Sequence, residues 1–534
     1  MKTERFSNQR DFMNKTFYTF FVLATAMLMN SPSVLANAET TNDASFSVND
    51  TVYNGNSSSD DQINEYLGIP FAAPPIGELR WQPTQPYTPS ESVIEVKQFA
   101  PACMQADRIV KWYKGVIEDF GGDPETFASP EFSEDCLYLN VWAPKTSNKD
   151  AEKLPVYIYM HGGSNKAGWS YEPNYIGRKM AERDMVVVSI PYRVGVFGFF
   201  PHADSEYVNF ALLDQIAALQ WVQDNIAAVG GDPARVTLAG ESAGADNIAV
   251  LLGSPMAKGL FHRAVVQSGG WSIVSMPERK EVEHQIKALS IEVLGDENAS
   301  LEQLRKIDAQ ELALAADIAF AELGFGPSVG DPVVPVSLRE VAKARKLHNV
   351  DVILGSNTNE YLVYLSPDQT VQQWIDENPS DKETVAAIKA VLNDGSTELE
   401  QVDRLITAVQ FGCPTLKLAE QINSNGSRAW VYDFNKVRTG ELASKMGAYH
   451  GAEIPYIFNT HDDWLPTDAE DLQLTNEIAQ YWSAFVAQGT PQTEELAQWP
   501  EFSEDQRLAI SLGKNVQAVS HPSIELCRLL AIIE

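Results

Sequence analysis

RVTLAGESAG, residues 235–244, is the stretch on which the reading of this chain turns. The run Val236 to Leu238 predicts a strand, and the apolar spacing from Ile248 to Leu252 predicts a helix directly after it. Between them, Gly240-Glu241-Ser242-Ala243-Gly244 makes a sharp strand-to-helix turn. A serine at such a turn needs neighbours without bulk, and glycine tolerates both the close backbone approach and the unusual dihedrals. The Ser242 hydroxyl then stands above the carboxyl edge of a sheet. The Ala243 amide opens a helix, where it can donate to a developing oxyanion. Composition alone supplies the five-residue pattern in about one of six chains of this length, so its surroundings decide.

Those surroundings have the rhythm of a parallel sheet. Val156 to Met160 is a short apolar run halted by His161-Gly162-Gly163-Ser164, and Val186 to Ile190 repeats it. Such runs are apolar at every position because both faces are covered. Residues 175–183 offer a crossover helix between them, and residues 211–228 place Leu212, Ile216, Leu219 and Val222 at helical spacing before Gly230-Gly231. Ala264 to Gln267, Val352 to Leu354 and Ala429 to Phe434 add further strands, and Ser133 to Pro144 an earlier one. Residues 276–320 and 370–425 read as helical insertions, the first of them walling a pocket. LGIPFAAPPIGELRWQP, from Leu67, is rich in Pro and Gly and reads as an extended segment over the surface. The expected class is α/β: a large, mixed, mostly parallel central sheet flanked by helices.

The chain has 534 residues and a net charge of −32, from 40 basic and 72 acidic side chains spread along it. That balance argues against nucleic acid and anionic membranes as partners. It suits a solvated acidic surface, with attraction of cationic substrates as the sharper alternative. Lys2, Arg5, Arg10 and Lys15 precede an apolar run, Phe17 to Met29, and Ala36-Asn37-Ala38 follows as a small-x-small site. Residues 1–38 therefore read as a signal peptide of an exported protein, periplasmic or secreted, with no stable membrane insertion after cleavage. Residues 39–60, rich in Asn, Ser, Asp and Thr, read as a flexible lead-in, and residues 61–534 as one domain. Four cysteines, Cys103, Cys136, Cys413 and Cys527, favour two bridges in an oxidising compartment, with three pairings possible. No spacing suggests a metal site, and no cofactor is implied.

An activated serine needs a base within hydrogen-bond reach and a carboxylate to orient that base. When the serine sits on a strand-to-helix elbow, acid and base follow it in the chain. Of the later histidines, His450 lies on a loop after the 429–434 strand, bracketed by Gly447 and Gly451. Glu360 lies on a loop after Val352-Ile353-Leu354, with Asp331 as its competitor. The HGGS turn after the 156–160 strand offers backbone donors for the oxyanion, each worth roughly 3 kcal/mol in the transition state.

Together these residues resemble the type-B carboxylesterase family, the α/β-hydrolases that include cholinesterases, liver-type carboxylesterases and bacterial para-nitrobenzyl esterases. The likeness rests on EDCLYLNVW, residues 134–142, and VGGDPARVTLAGESAG, residues 229–244. PYRVGVFGF, FHRAVVQSG, HGAEIPYIFN and YWSAFVAQGTPQ extend it over residues 63–527. The resemblance implies an α/β-hydrolase fold, Ser242 as nucleophile, Glu360 as acid and His450 as base. It places oxyanion donors on Gly163, Ser164 and Ala243, and supporting residues around the triad at Glu241 and Ser268. It also implies the pairings Cys103 with Cys136 and Cys413 with Cys527, and the ion pairs Arg80 with Glu134 and Arg193 with Asp214.

The activity so implied is hydrolysis of small-molecule carboxylic esters through an acyl-enzyme, without a cofactor. A non-catalytic binding module of the same fold and an amide or carbamate hydrolase are the alternatives. The filled triad positions speak against the first. Ser164 and Asn165 where HGGG and an aromatic are usual, Ala245 and Asp246 after the elbow, and Tyr361 after the acid depart from the pattern and bear on substrate range. Trp112 lies in the loop between Cys103 and Cys136, where cholinesterases receive choline, and is otherwise a packing residue.

Overall fold

Two short strands come first in the computed structural model, which describes residues 44–57, 62–145, 152–320 and 324–533. The expected signal peptide, residues 1–38, lies outside the described residues. β1 (Ser45–Val48) and β2 (Thr51–Asn54) pair antiparallel within the stretch expected to be a loose lead-in. Alternation corrects that expectation: Phe46 and Tyr53 point inward, stacked at 4.9 Å, and Tyr66 meets Phe46 edge-on. Polar composition had masked a two-residue period.

β3 (Ile63–Pro70) follows, so the extended segment expected from Leu67 begins inside a strand. β4 (Val93–Glu95) joins β2, and β5 (Ala102–Cys103) pairs with β6 (Phe132–Ser133). The central sheet then takes β7 (Tyr138–Pro144), β8 (Leu154–Met160), β9 (Val186–Ile190), β10 (Gly231–Glu241) and β11 (Arg263–Gln267). β12 (Asp351–Asn357), β13 (Ala429–Phe434), β14 (Leu508–Leu512) and β15 (Gln517–Ser520) complete it. The order is β15-β14-β13-β12-β11-β10-β8-β9-β7-β3, parallel from β14 to β9 and antiparallel at β15, β7 and β3.

Alternate residues of the inner strands feed two cores, one on each face. Val156, Ile158 and Met160 join one, while Tyr157 and Tyr159 join the other. This is why the strand sequences carry no polar face. The chain leaves β9, crosses back and enters the sheet as β10 on the other side of β8. Crevices at such reversals, outside the carboxyl ends of the strands, are where ligands bind in open α/β sheets.

The helix expected over 211–228 runs Phe210–Asn225, continues as a 3₁₀ turn, Ile226–Val229, and stops at Gly230 with φ +91°. The crossover helix is shorter than expected, Arg178–Ala181, with a separate 3₁₀ turn, Pro173–Tyr175, before it, and Gly177 at its start packs where a Cβ would lie 2.6 Å from both Trp142 and Val187. The first insertion holds helices Arg279–Val282, His284–Leu294, Leu301–Arg305 and Ala309–Ala319. The second holds Val371–Glu377, Lys382–Leu392, Glu398–Thr407 and Cys413–Ser424, with a π-helical turn, Ala408–Gly412, between the last two.

Cys103 is bonded to Cys136 and Cys413 to Cys527, the pairing that the resemblance implied. Arg80 holds Glu134 through two hydrogen bonds of 2.5 and 2.6 Å and donates to the carbonyls of Arg305 and Ile307. Arg193 likewise grips Asp214 at 2.7 and 2.8 Å. Removing one member of such buried pairs costs roughly 3–5 kcal/mol.

Candidate active site

The elbow is built by contact between the ends of β8 and β10. A Cβ on Gly240 would lie 2.8 Å from the Met160 carbonyl, and one on Gly244 2.5 Å from the carbonyls of Met160 and His161. Only glycines let the strand turn into helix Ala243–Leu251 at this separation. Ser242 sits in the turn at φ +54° and ψ −125°, a conformation costly for a residue with a side chain. Its amide donates to the Gln267 carbonyl at 2.8 Å, while Ala243 is the first helical residue. The Ser242 hydroxyl has no hydrogen-bond partner among the described residues.

Facing the elbow, the HGGS turn carries three successive left-handed residues, Gly163 (φ +94°), Ser164 (φ +57°) and Asn165 (φ +56°). Lys166 and Ala167 both donate to the Gly163 carbonyl, which closes the turn. The amides of Gly163 and Ser164 meet no protein acceptor among the described residues. A Cβ on Gly162 would lie 2.9 Å from the Cβ of Ser242, so the turn lies against the elbow. His161 is buried and stacked on Tyr192 at 4.4 Å, and burial pushes its pKa down to about 4. It is a neutral packing group.

Acid and base loops leave the carboxyl ends of β12 and β13. His450 Nδ1 lies 2.6 Å from Glu360 Oε2. Glu360 has no exposed surface, and its other oxygen accepts from Ser268 Oγ at 2.6 Å and the Asn357 amide at 2.7 Å. The outward nitrogen, His450 Nε2, faces Glu241 Oε1 at 3.1 Å. Burial alone would lower the imidazole pKa, but the carboxylates of Glu241 and Glu360 outweigh it and hold His450 well above its ordinary range. Burial raises Glu241 in turn, so the two groups compete for one proton.

Residues 51–528 match the model of the carboxylesterase family. The chain belongs to the carboxylesterase family. It is 31% identical over 491 residues to the para-nitrobenzyl esterase of Bacillus subtilis (strain 168), covering 87% of this chain and 94% of that one. It is 32% identical over 497 residues to the liver carboxylesterase of Sus scrofa, covering 85% and 86%. Among solved structures, a thermophilic PNB esterase superposes with a TM-score of 0.77 at 28% identity, over 91% of this chain and 99% of that one. These relatives give this carboxylesterase the α/β-hydrolase fold and carboxylic ester hydrolysis as its activity.

Asp331, the competing acid, is elsewhere in the carboxylesterase. Its oxygens accept from the amides of Val208, Asn209, Val333 and Val334, so it fastens loops. Trp112 stands on helix Arg108–Asp119, its ring edge-on to Tyr113 and its indole N–H donating to Tyr364 OH at 3.0 Å. Of the departures, Asn165 exchanges amide hydrogen bonds with Asn247, and buried Asp246 accepts from the Ser272 amide and hydroxyl. Sequence reasoning missed Phe411, whose ring centroid is 5.0 Å from that of His450. It also missed Glu453, which takes hydrogen bonds from Gln267 and Asn357 behind the base. The Phe411 contact depends on the π-helical turn, which apolar spacing does not reveal.

Proposed function

We propose that this carboxylesterase cleaves esters through an acyl-enzyme on Ser242, with His450 as base, Glu360 as the group that fixes the imidazole, and the amides of Gly163, Ser164 and Ala243 as oxyanion donors. The observation that carries the reading is the line Glu360–His450–Glu241. Glu360 holds Nδ1 protonated, which leaves Nε2 to take a proton. Nε2 already reaches the residue beside Ser242, and a small turn of the ring hands it from Glu241 to the hydroxyl as substrate enters. Ser242 Oγ then bonds to the carbonyl carbon while its proton passes to His450. The oxyanion collapses, and the alcohol leaves with that proton. Water attacks the acyl-enzyme by the same route and regenerates the serine.

The acyl class proposed is short to medium chains; a cavity of about 170 Å³ lined in part by Asn165, Asp246, Trp271, Ser272 and Phe320 adjoins the HGGS turn through Asn165, without reaching Ser242 or His450. Two of its polar lining residues, Asn165 and Asp246, depart from the family pattern. Export to an oxidising compartment is supported by the two disulfides. Among the described residues no helix is long and apolar enough to cross a membrane.

The test is hydrolysis of p-nitrophenyl esters of graded acyl length by the wild type and Ser242→Ala. The variant is expected to lose on the order of 10⁵–10⁶ in kcat. Full retention overturns the assignment of Ser242, and a preference for long-chain esters overturns the acyl class.

A further inference from the structure

Asp403 has no exposed surface and stands on helix Glu398–Thr407, away from the elbow in sequence. Its Oδ1 accepts from the Tyr361 amide at 2.9 Å and from Thr407 Oγ1 at 3.3 Å. Its Oδ2 accepts from Asn359 Nδ2 at 3.0 Å. Asn359 is also bonded to the loop of the base: its side-chain oxygen accepts from the Ala448 amide at 3.1 Å, and its own amide donates to the Ala448 carbonyl at 3.1 Å. Gly447 completes the fit, for a Cβ there would lie 2.7 Å from Asn359 Oδ1. Residues 359 and 361 flank Glu360, and residue 448 lies two before His450.

We propose that Asp403 is a positioning residue for the Glu360–His450 pair, acting through Asn359 and Tyr361 to lock the two loops in register. The inference rests on the proposed triad. A carboxylate suits the task because both oxygens accept at once, and each of its hydrogen-bond partners here is a donor. Burial pushes its carboxyl up to about 6, and the hydrogen bonds from Asn359, Tyr361 and Thr407 act against that rise by favouring the carboxylate. The 2.6 Å contact between Glu360 and His450 needs both loops fixed to a few tenths of an ångström, and misplacement of this kind is costly to the chemical step.

The bond pattern gives a reciprocal test. In Asp403→Asn an amide N–H must face either the Tyr361 N–H or Asn359 Nδ2, donor against donor. In Asn359→Asp two carboxylates meet. In the double variant every partner is restored: the new amide at 403 donates to the new carboxylate at 359 and still accepts from Tyr361, while 359 still accepts from Ala448. Reactive serines are counted with a fluorophosphonate, and kcat on a p-nitrophenyl ester is expressed per labelled site. Each single variant is expected to lose about 10- to 100-fold in kcat with KM changed less than about threefold, and the double variant to return to within about threefold of wild type.

A single variant with wild-type kcat per labelled site overturns the proposal, even if its thermal midpoint falls. A double variant that loses the product of the two single losses overturns it too. If Asp403→Asn does not fold, Asn359→Ala cuts the bridge from the loop side and is expected to show the same loss in kcat at constant KM; unchanged kcat overturns the proposal. Retained activity in Ser242→Ala would instead remove the triad on which it rests.

Discussion

Glu241 stands beside the proposed nucleophile and faces the nitrogen that must take its proton. Its charge favours protonated imidazole, and protonated imidazole cannot act as a base. His450 is also faced by the carboxylates of Glu360 and Glu453, so removing one negative neighbour lowers its pKa. Glu241→Gln should therefore move the acid limb of the kcat/KM profile to lower pH by about one unit or more. An unmoved or raised limb would show that Glu241 does not set the protonation of the base. Ser242, Glu360 and His450 were legible as candidates because each sits after a strand whose composition announces it. The contact between Glu241 and His450 was not, since residues 209 positions apart in the chain meet only through the sheet order.

At the scale of elements, the HGGS turn and the strand-to-helix elbow work as one part. A methyl group on Gly163 would meet the Ala167 carbonyl at 2.1 Å and would sit at φ +94°. Gly163→Ala should thus displace the proposed oxyanion donors and cost about 10²–10³ in kcat, with Ser242 still open to labelling by a small fluorophosphonate. A variant with unchanged kcat would remove this turn from the oxyanion site. The inner strands were readable because burial on both faces leaves an unbroken apolar run. β3 was hidden by the Pro- and Gly-rich stretch that continues it, and β1 and β2 by polar composition around two inward aromatics. Glycine and polar residues mark turns only when no neighbouring sheet recruits them.

Across the whole molecule, the C-terminal disulfide joins residues 114 apart and follows directly on the π-helical turn that carries Phe411. By chain entropy such a loop is worth about 5 kcal/mol. Replacing Cys413 and Cys527 with serine should lower the thermal unfolding midpoint by several degrees, and an unchanged midpoint would assign the bridge no role in stability. The order of ten strands, with β10 beside β8, is what gathers the HGGS turn, the elbow and the two later loops at one edge. The sequence announced a mixed, mostly parallel sheet but not this order, because pairing between strands leaves no local mark in a chain. The central claim is that Ser242 forms the acyl-enzyme. The most direct measurement is mass spectrometry of the fluorophosphonate-treated protein, intact and after proteolysis. One adduct per chain is expected, on the peptide that contains Ser242, with esterase activity lost in proportion to labelling. Complete inactivation with the adduct on another residue, or full labelling with activity intact, would contradict it.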